Sequence, residues 1–112
     1  MKQVIAYIKP HKLSEVTLAL HKVKGLTGMS VIDVRGFGRG KKRDGHEIEK
    51  ELRDFVPHVK IEIFCSDELV EEIISVIEKA AHTGLRSDGK IYVTAVETAV
   101  RITSGERGDH AV

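Results

Sequence analysis

Gln3-Val4-Ile5-Ala6-Tyr7-Ile8-Lys9-Pro10-His11-Lys12-Leu13-Ser14-Glu15-Val16-Thr17-Leu18-Ala19-Leu20-His21-Lys22-Val23-Lys24-Gly25 carries two different periods in one stretch. Over residues 3–9 the side chains alternate. Val4, Ala6 and Ile8 point one way, and Ile5 and Tyr7 the other, which is the pattern of a strand. Pro10 ends it. From residue 12 to 24 the apolar positions become Leu13, Val16, Leu20 and Val23, a single stripe on a helix. Gly25 stands just past its end, where a left-handed cap is wanted.

The same change of period recurs in the second half. Residues 29–37 read as another strand through Val31, Ile32 and Val34, and residues 38–54 then lose periodicity and fill with charge. A long loop is expected there. Residues 56–64 alternate again through Val59, Ile61 and Ile63, with Pro57 near the strand's start. Ser66 or Asp67 is the expected cap of a second helix, whose stripe is Leu69, Val70, Ile73, Ile74, Ile77 and Ala81. Thr83-Gly84 ends it, residues 91–96 form a fourth strand, 99–103 is extended or a short turn, and 104–112 is a polar tail. Strand, helix, strand, strand, helix, strand is the ferredoxin-like βαββαβ order of an α+β sandwich: a four-stranded antiparallel sheet with both helices on one face. Ile5, Tyr7 and Tyr92 then look to the face the helices leave open, so a homo-oligomer is expected.

The chain has 112 residues, which fits a single domain spanning 1–112. Eighteen Lys plus Arg against seventeen Asp plus Glu leave a net charge of +1, giving no general pull toward nucleic acid or membrane. A lone cysteine, Cys65, excludes an internal disulfide. It reads as a packed thiol. No apolar run approaches the ~20 residues of a membrane-spanning helix, and no signal-peptide pattern is present. The expectation is a cytoplasmic protein without membrane insertion.

Three segments favour an anion. Arg35-Gly36-Phe37-Gly38-Arg39-Gly40-Lys41-Lys42-Arg43 puts five cations in nine residues, and its glycines let backbone amides approach a ligand closely. It is neither a Walker loop nor a dinucleotide fingerprint, and a solvated basic loop is an equal reading of the segment alone. Thr83-Gly84-Leu85-Arg86-Ser87-Asp88-Gly89-Lys90 offers hydroxyls and cations between a helix and a strand, although an ordinary turn is the plainer reading. Arg101, with Arg107 beyond it, is either a surface ion pair or a phosphate clamp across a subunit boundary. The six histidines show no metal-ligand spacing, and no set of nucleophile, base and orienting group stands out. A dedicated enzyme is not expected. An RNA-binding module lacks the aromatic strand motif it would need.

In order along nearly the whole chain, Ile8-Lys9-Pro10-His11-Lys12-Leu13, Gly28-Met29-Ser30-Val31, Arg35-Gly36-Phe37-Gly38-Arg39, Asp54-Phe55-Val56-Pro57-His58-Val59-Lys60-Ile61-Glu62, Thr83-Gly84, Asp88-Gly89-Lys90-Ile91-Tyr92-Val93 and Val100-Arg101-Ile102 through Gly108 resemble the PII signal-transduction family. The resemblance implies a homotrimer with adenine nucleotides in clefts between subunits. It also implies a loop, here about residues 38–55, that docks on a transporter, enzyme or regulator. Carried over by position, the nucleotide residues are Ser30, Gly36, Gly38, Arg39, Glu62, Phe64, Thr83, Asp88, Gly89, Lys90 and Arg101. Glu62 and Phe64 fall near base and ribose, and Lys90 and Arg101 meet the phosphates, with Arg101 coming from the neighbouring subunit.

This sequence departs from the family pattern at several of these places. Gly40 replaces a glutamine that helps hold magnesium between ATP and 2-oxoglutarate. His58 replaces a lysine that pairs with 2-oxoglutarate, Thr103 a second arginine, and Ser87 a glycine. Residues 39–64 contain no Tyr, Ser or Thr, so the usual tyrosine nucleotidylation has no acceptor there. The departures imply ADP or AMP in preference to Mg-ATP, no required metal and a weak or absent 2-oxoglutarate response. Some relatives are tied to inorganic-carbon uptake or carboxysomes, which leaves bicarbonate as a second effector here, held by Gly40, Lys41 and His58. A conventional nitrogen-regulatory protein answering to ATP and 2-oxoglutarate is the alternative.

Overall fold

In the computed structural model, which describes residues 1–37 and 55–112, both changes of period become strand-to-helix units. Strand β1 spans Lys2–Ile8, and Pro10–Lys12 makes a 3-10 turn into helix α1, Leu13–His21. Proline's fixed φ and missing N–H suit the first position of that turn. Strand β2 is Ser30–Gly36 and β3 is Val56–Cys65. A 3-10 turn over Asp67–Leu69 leads into α2, Val70–Ala81, and β4 is Gly89–Ala95.

The sheet order is β2-β3-β1-β4, with every neighbouring pair antiparallel. This is the expected ferredoxin-like topology. One face is the core. Val4, Ala6 and Ile8 of β1 and Val59, Ile61, Ile63 and Cys65 of β3 are buried against Val16 and Leu20 of α1 and Ile73, Ile77 and Ala81 of α2. Spacings of four place Ile73, Ile77 and Ala81 on one side of α2. Full burial of a side chain the size of Ile73 or Ile77 is worth roughly 1.5–3 kcal/mol relative to exposure. Cys65 is buried in this core, and burial pushes its thiol pKa up, as suits an inert packing residue.

Local details depart from the sequence reading. The periodic stretch 12–24 is helical only to His21, and Gly25 adopts φ +90° in the turn beyond it. Neither Ser66 nor Asp67 caps α2 through its side chain. The Asp67 carboxylate instead accepts hydrogen bonds from the Met1 amine at 2.8 Å and Lys2 Nζ at 3.1 Å, so it ties β1 to the turn. The segment 104–112 is not simply a polar tail. It folds back through a bridge between Val100 and Arg107 and ends in a 3-10 helix, Gly108–Ala111.

Among the described residues no helix covers the other sheet face. Register puts Ile5, Glu62 and Ser30 side by side across three strands, with Tyr92 opposite Ile5 on the fourth. Tyr7 and Tyr92 meet edge to face at 6.3 Å, and Tyr92 and Phe64 remain about half exposed, at 50% and 47%. Among the described residues no helix is long and apolar enough to cross a membrane.

Candidate functional site

The sequence-predicted residues that the structure describes fall into two groups at opposite ends of the sheet. The first surrounds a cavity of about 550 Å³, within the roughly 300–1,000 Å³ range of small-ligand pockets. Ser30 on β2 and Glu62 and Phe64 on β3 line it, together with Met29 and Val100. Strand alternation sends Glu62 and Phe64 to the open face, because Ile61, Ile63 and Cys65 take the core face. Glu62 is held by Gln3 Nε2 at 3.2 Å and paired with Lys60 at 3.6 Å, and Thr94 Oγ1 donates to the other side of Gln3 at 3.3 Å. The carboxylate is therefore oriented, with Phe64 and Met29 offering apolar surface beside it. Arg101 directly follows the lining residue Val100, and its Nη2 donates to the His110 carbonyl at 3.4 Å.

The second group is the turn between α2 and β4. Asp88 is its hub. Its carboxylate accepts from the Thr83 hydroxyl, the Thr83 amide at 2.8 Å and the Gly84 amide at 3.0 Å. Lys9 Nζ pairs with it at 3.2 Å and also donates to Thr83 Oγ1 at 3.3 Å. His82 Nδ1 lies 3.6 Å from the same carboxylate. The Thr83 hydroxyl bond, then the two amides and the Lys9 bond, hold the Asp88 pKa well below the usual carboxylate range. Ser87 takes φ +64°, the only positive-φ residue other than glycine among the described residues. Gly89 is required where it stands. A Cβ there would meet the Tyr7 carbonyl oxygen 1.7 Å away. Its pairing with Ile8 sets Lys90 opposite Tyr7.

The register measures the separation. Phe64 pairs with Gln3, whereas Lys90 pairs with Tyr7. Four residues along β1 are roughly 14 Å, and β3 and β4 lie two strand spacings, about 10 Å, apart. Gly36 pairs with Val56, beyond the level of Ile8, and so shares the Lys90 end on the other edge of the sheet. His58 sits on β3 with Nδ1 3.3 Å from the Val56 carbonyl. Gly38, Arg39, Gly40 and Lys41 lie outside the described residues, as does most of the expected docking loop 38–55. Its flanks are described: Phe37 and Phe55 stack edge to face at 5.5 Å. Among the described residues no three His, Cys, Asp or Glu side chains gather as metal ligands.

Sequence reasoning did not single out Lys9 as part of the turn, nor Met29, Ala111 and Val112 as part of the cavity. Lys9 carried one signal, a cation at a strand end directly before Pro10. Ala111 and Val112 carried none, because a two-residue apolar ending shows no period.

The profile of the family described as Nitrogen regulatory protein P-II matches residues 1–106. The chain belongs to the PII family. A nitrogen regulatory protein P-II of Azospirillum brasilense is 50% identical over 116 aligned positions, covering all of both chains. The Rhodospirillum rubrum protein of the same name is 49% identical and that of Haemophilus influenzae 44%, each again over the full length of both. The PII relatives share a regulatory, nitrogen-related name, which favours the nitrogen-regulatory alternative over the carbon-associated reading. None of these PII names points to bicarbonate or carboxysomes.

Proposed function

We propose that this chain is a PII signal transducer that binds adenine nucleotides in clefts completed by a second copy of itself. A homotrimer with three such clefts then signals to a partner protein through the loop 38–55. One observation carries the proposal. Within a single copy, Ser30, Glu62, Phe64 and Arg101 gather at one end of the sheet, and Thr83, Asp88, Gly89 and Lys90 at the other. Two copies are needed to bring a base pocket and a phosphate turn to one ligand. The uncovered face with Ile5, Tyr7 and Tyr92 supplies the surface for that association.

Within this reading ADP and AMP bind in preference to Mg-ATP, and 2-oxoglutarate adds little. Gly40 brings no side-chain ligand for a metal, and Thr103 and His58 bring less cationic charge than the family's arginine and lysine. The names of the relatives favour the opposite outcome, a conventional response to ATP and 2-oxoglutarate. Calorimetry with ATP, ADP and AMP, each with and without Mg²⁺, 2-oxoglutarate and bicarbonate, separates the two. ADP tighter than Mg-ATP, with no gain from 2-oxoglutarate, is the expected result. ATP binding strengthened by 2-oxoglutarate and Mg²⁺ establishes the conventional response.

A further inference from the structure

The cavity beside Glu62 and Phe64 is also lined by residues that none of the sequence motifs contains. Ala111 and Val112 line it together with Ser30, and both are half-buried. The family profile ends at residue 106, although the full-length relatives align through the end of the chain. The segment that carries Ala111 and Val112 is anchored at several points. The Gly108 amide donates to the Ala99 carbonyl at 3.0 Å, the Arg101 amide to Glu106 at 2.9 Å and the Gly105 amide to Arg101 at 2.7 Å. The Arg101 guanidinium reaches the His110 carbonyl, directly before the two lining residues. Ala99 and Val100 line the same cavity, so the segment is fastened to the cavity's own rim.

Resting on the reading of this cavity as the base pocket, we infer that Ala111 and Val112 contact the purine and set the pocket's depth, with Arg101 holding their turn in place. Small apolar side chains at both positions suit the flat, weakly polar face of a base. Polar recognition is left to Glu62 and Ser30, which line the same cavity. A bulkier residue at 111 shortens the pocket without adding charge. A reporter at 112 senses the base directly.

The test uses ADP as the probe and the full chain. The sequence has no tryptophan, so Val112→Trp introduces a single tryptophan, selectively excited at the red edge away from the two tyrosines, and Leu18→Trp on the exposed side of α1 serves as the distant control. Saturating ADP is expected to shift or quench the emission of the Val112→Trp chain and leave that of the Leu18→Trp chain unchanged. Ala111→Leu is expected to weaken ADP binding at least ~10-fold by calorimetry, with melting temperature and oligomeric state unchanged. ADP binding by the unsubstituted chain that Ala111→Leu does not weaken, together with a silent Val112→Trp reporter, overturns this inference alone. No ADP binding by the unsubstituted chain overturns the nucleotide reading and this inference with it.

Discussion

Asp88 organises the turn between α2 and β4 through one carboxylate that accepts from two amides and a hydroxyl and pairs with Lys9. Charge-assisted bonds of this kind are about twice as strong as neutral ones. Asp88→Asn keeps the shape but loses the charge, and is expected to cost about 1–3 kcal/mol at neutral pH by urea denaturation. The sign of its pH dependence follows from the lowered pKa. The stabilisation is complete above the unfolded carboxylate value of about 4 and disappears as pH falls through the folded value. The unsubstituted chain should therefore lose stability below about pH 4 more steeply than Asp88→Asn. Ser87, one residue earlier, bears the opposite kind of cost. Its φ of +64° is a left-handed conformation that costs an L-residue roughly 1–2 kcal/mol, while glycine loses about 0.5–1 kcal/mol of extra chain entropy on folding. Ser87→Gly, which restores the family's residue, should raise stability by about 0.5–1 kcal/mol in the same assay.

At the scale of elements, β4 is held to β1 by a register that Gly89 permits. A methyl group at that position would sit on the Tyr7 carbonyl oxygen, and the backbone is also at φ +117°. Gly89→Ala is expected to destabilise the chain by ~3 kcal/mol or more, seen as a lower urea midpoint with loss of the β1–β4 pairing near Lys90. The elements themselves were legible because their signals are periodic. Val4, Ala6 and Ile8, and then Ile73, Ile77 and Ala81, repeat at the intervals of a half-buried strand and an amphipathic helix. The ends were less legible, since the helix stripe continues through Val23 while the helix stops at His21. Ser66 was a plausible cap that tertiary geometry leaves unused: a 3-10 turn intervenes, and Asp67 is drawn to Lys2 across the fold. Thr83 and Lys90 stood out as a hydroxyl and a cation in one turn, and Asp88 was named from the resemblance to the family. Lys9 joins them through the antiparallel pairing of strands far apart in sequence, which no local pattern reveals. Ala111 and Val112 are placed by a backbone fold-back that rests on single hydrogen bonds.

At the scale of the whole molecule, the split of the candidate site makes a mixing experiment decisive. Lys90→Ala and Arg101→Ala chains should each bind nucleotide poorly. When the two are unfolded and refolded together, subunits combine at random. If each cleft takes Lys90 from one copy and Arg101 from its neighbour, about a quarter of the clefts regain both residues in a cyclic assembly. Recovery of that fraction by calorimetry supports a shared cleft, and no recovery places both residues in one copy's site. The same sheet has a consequence for the timing of folding. In the order β2-β3-β1-β4, each ladder joins a strand from the first βαβ half of the chain to one from the second. Among the described residues neither half contains a ladder of its own. As the chain leaves the ribosome, β1 and β2 are made without a partner. They stay unpaired until residue 56 and beyond have been synthesised, and β4 completes the sheet only near the end. The order of strands thus delays the first pairing past the chain's midpoint, and it makes the protein's birth a single late event in which both halves fold together.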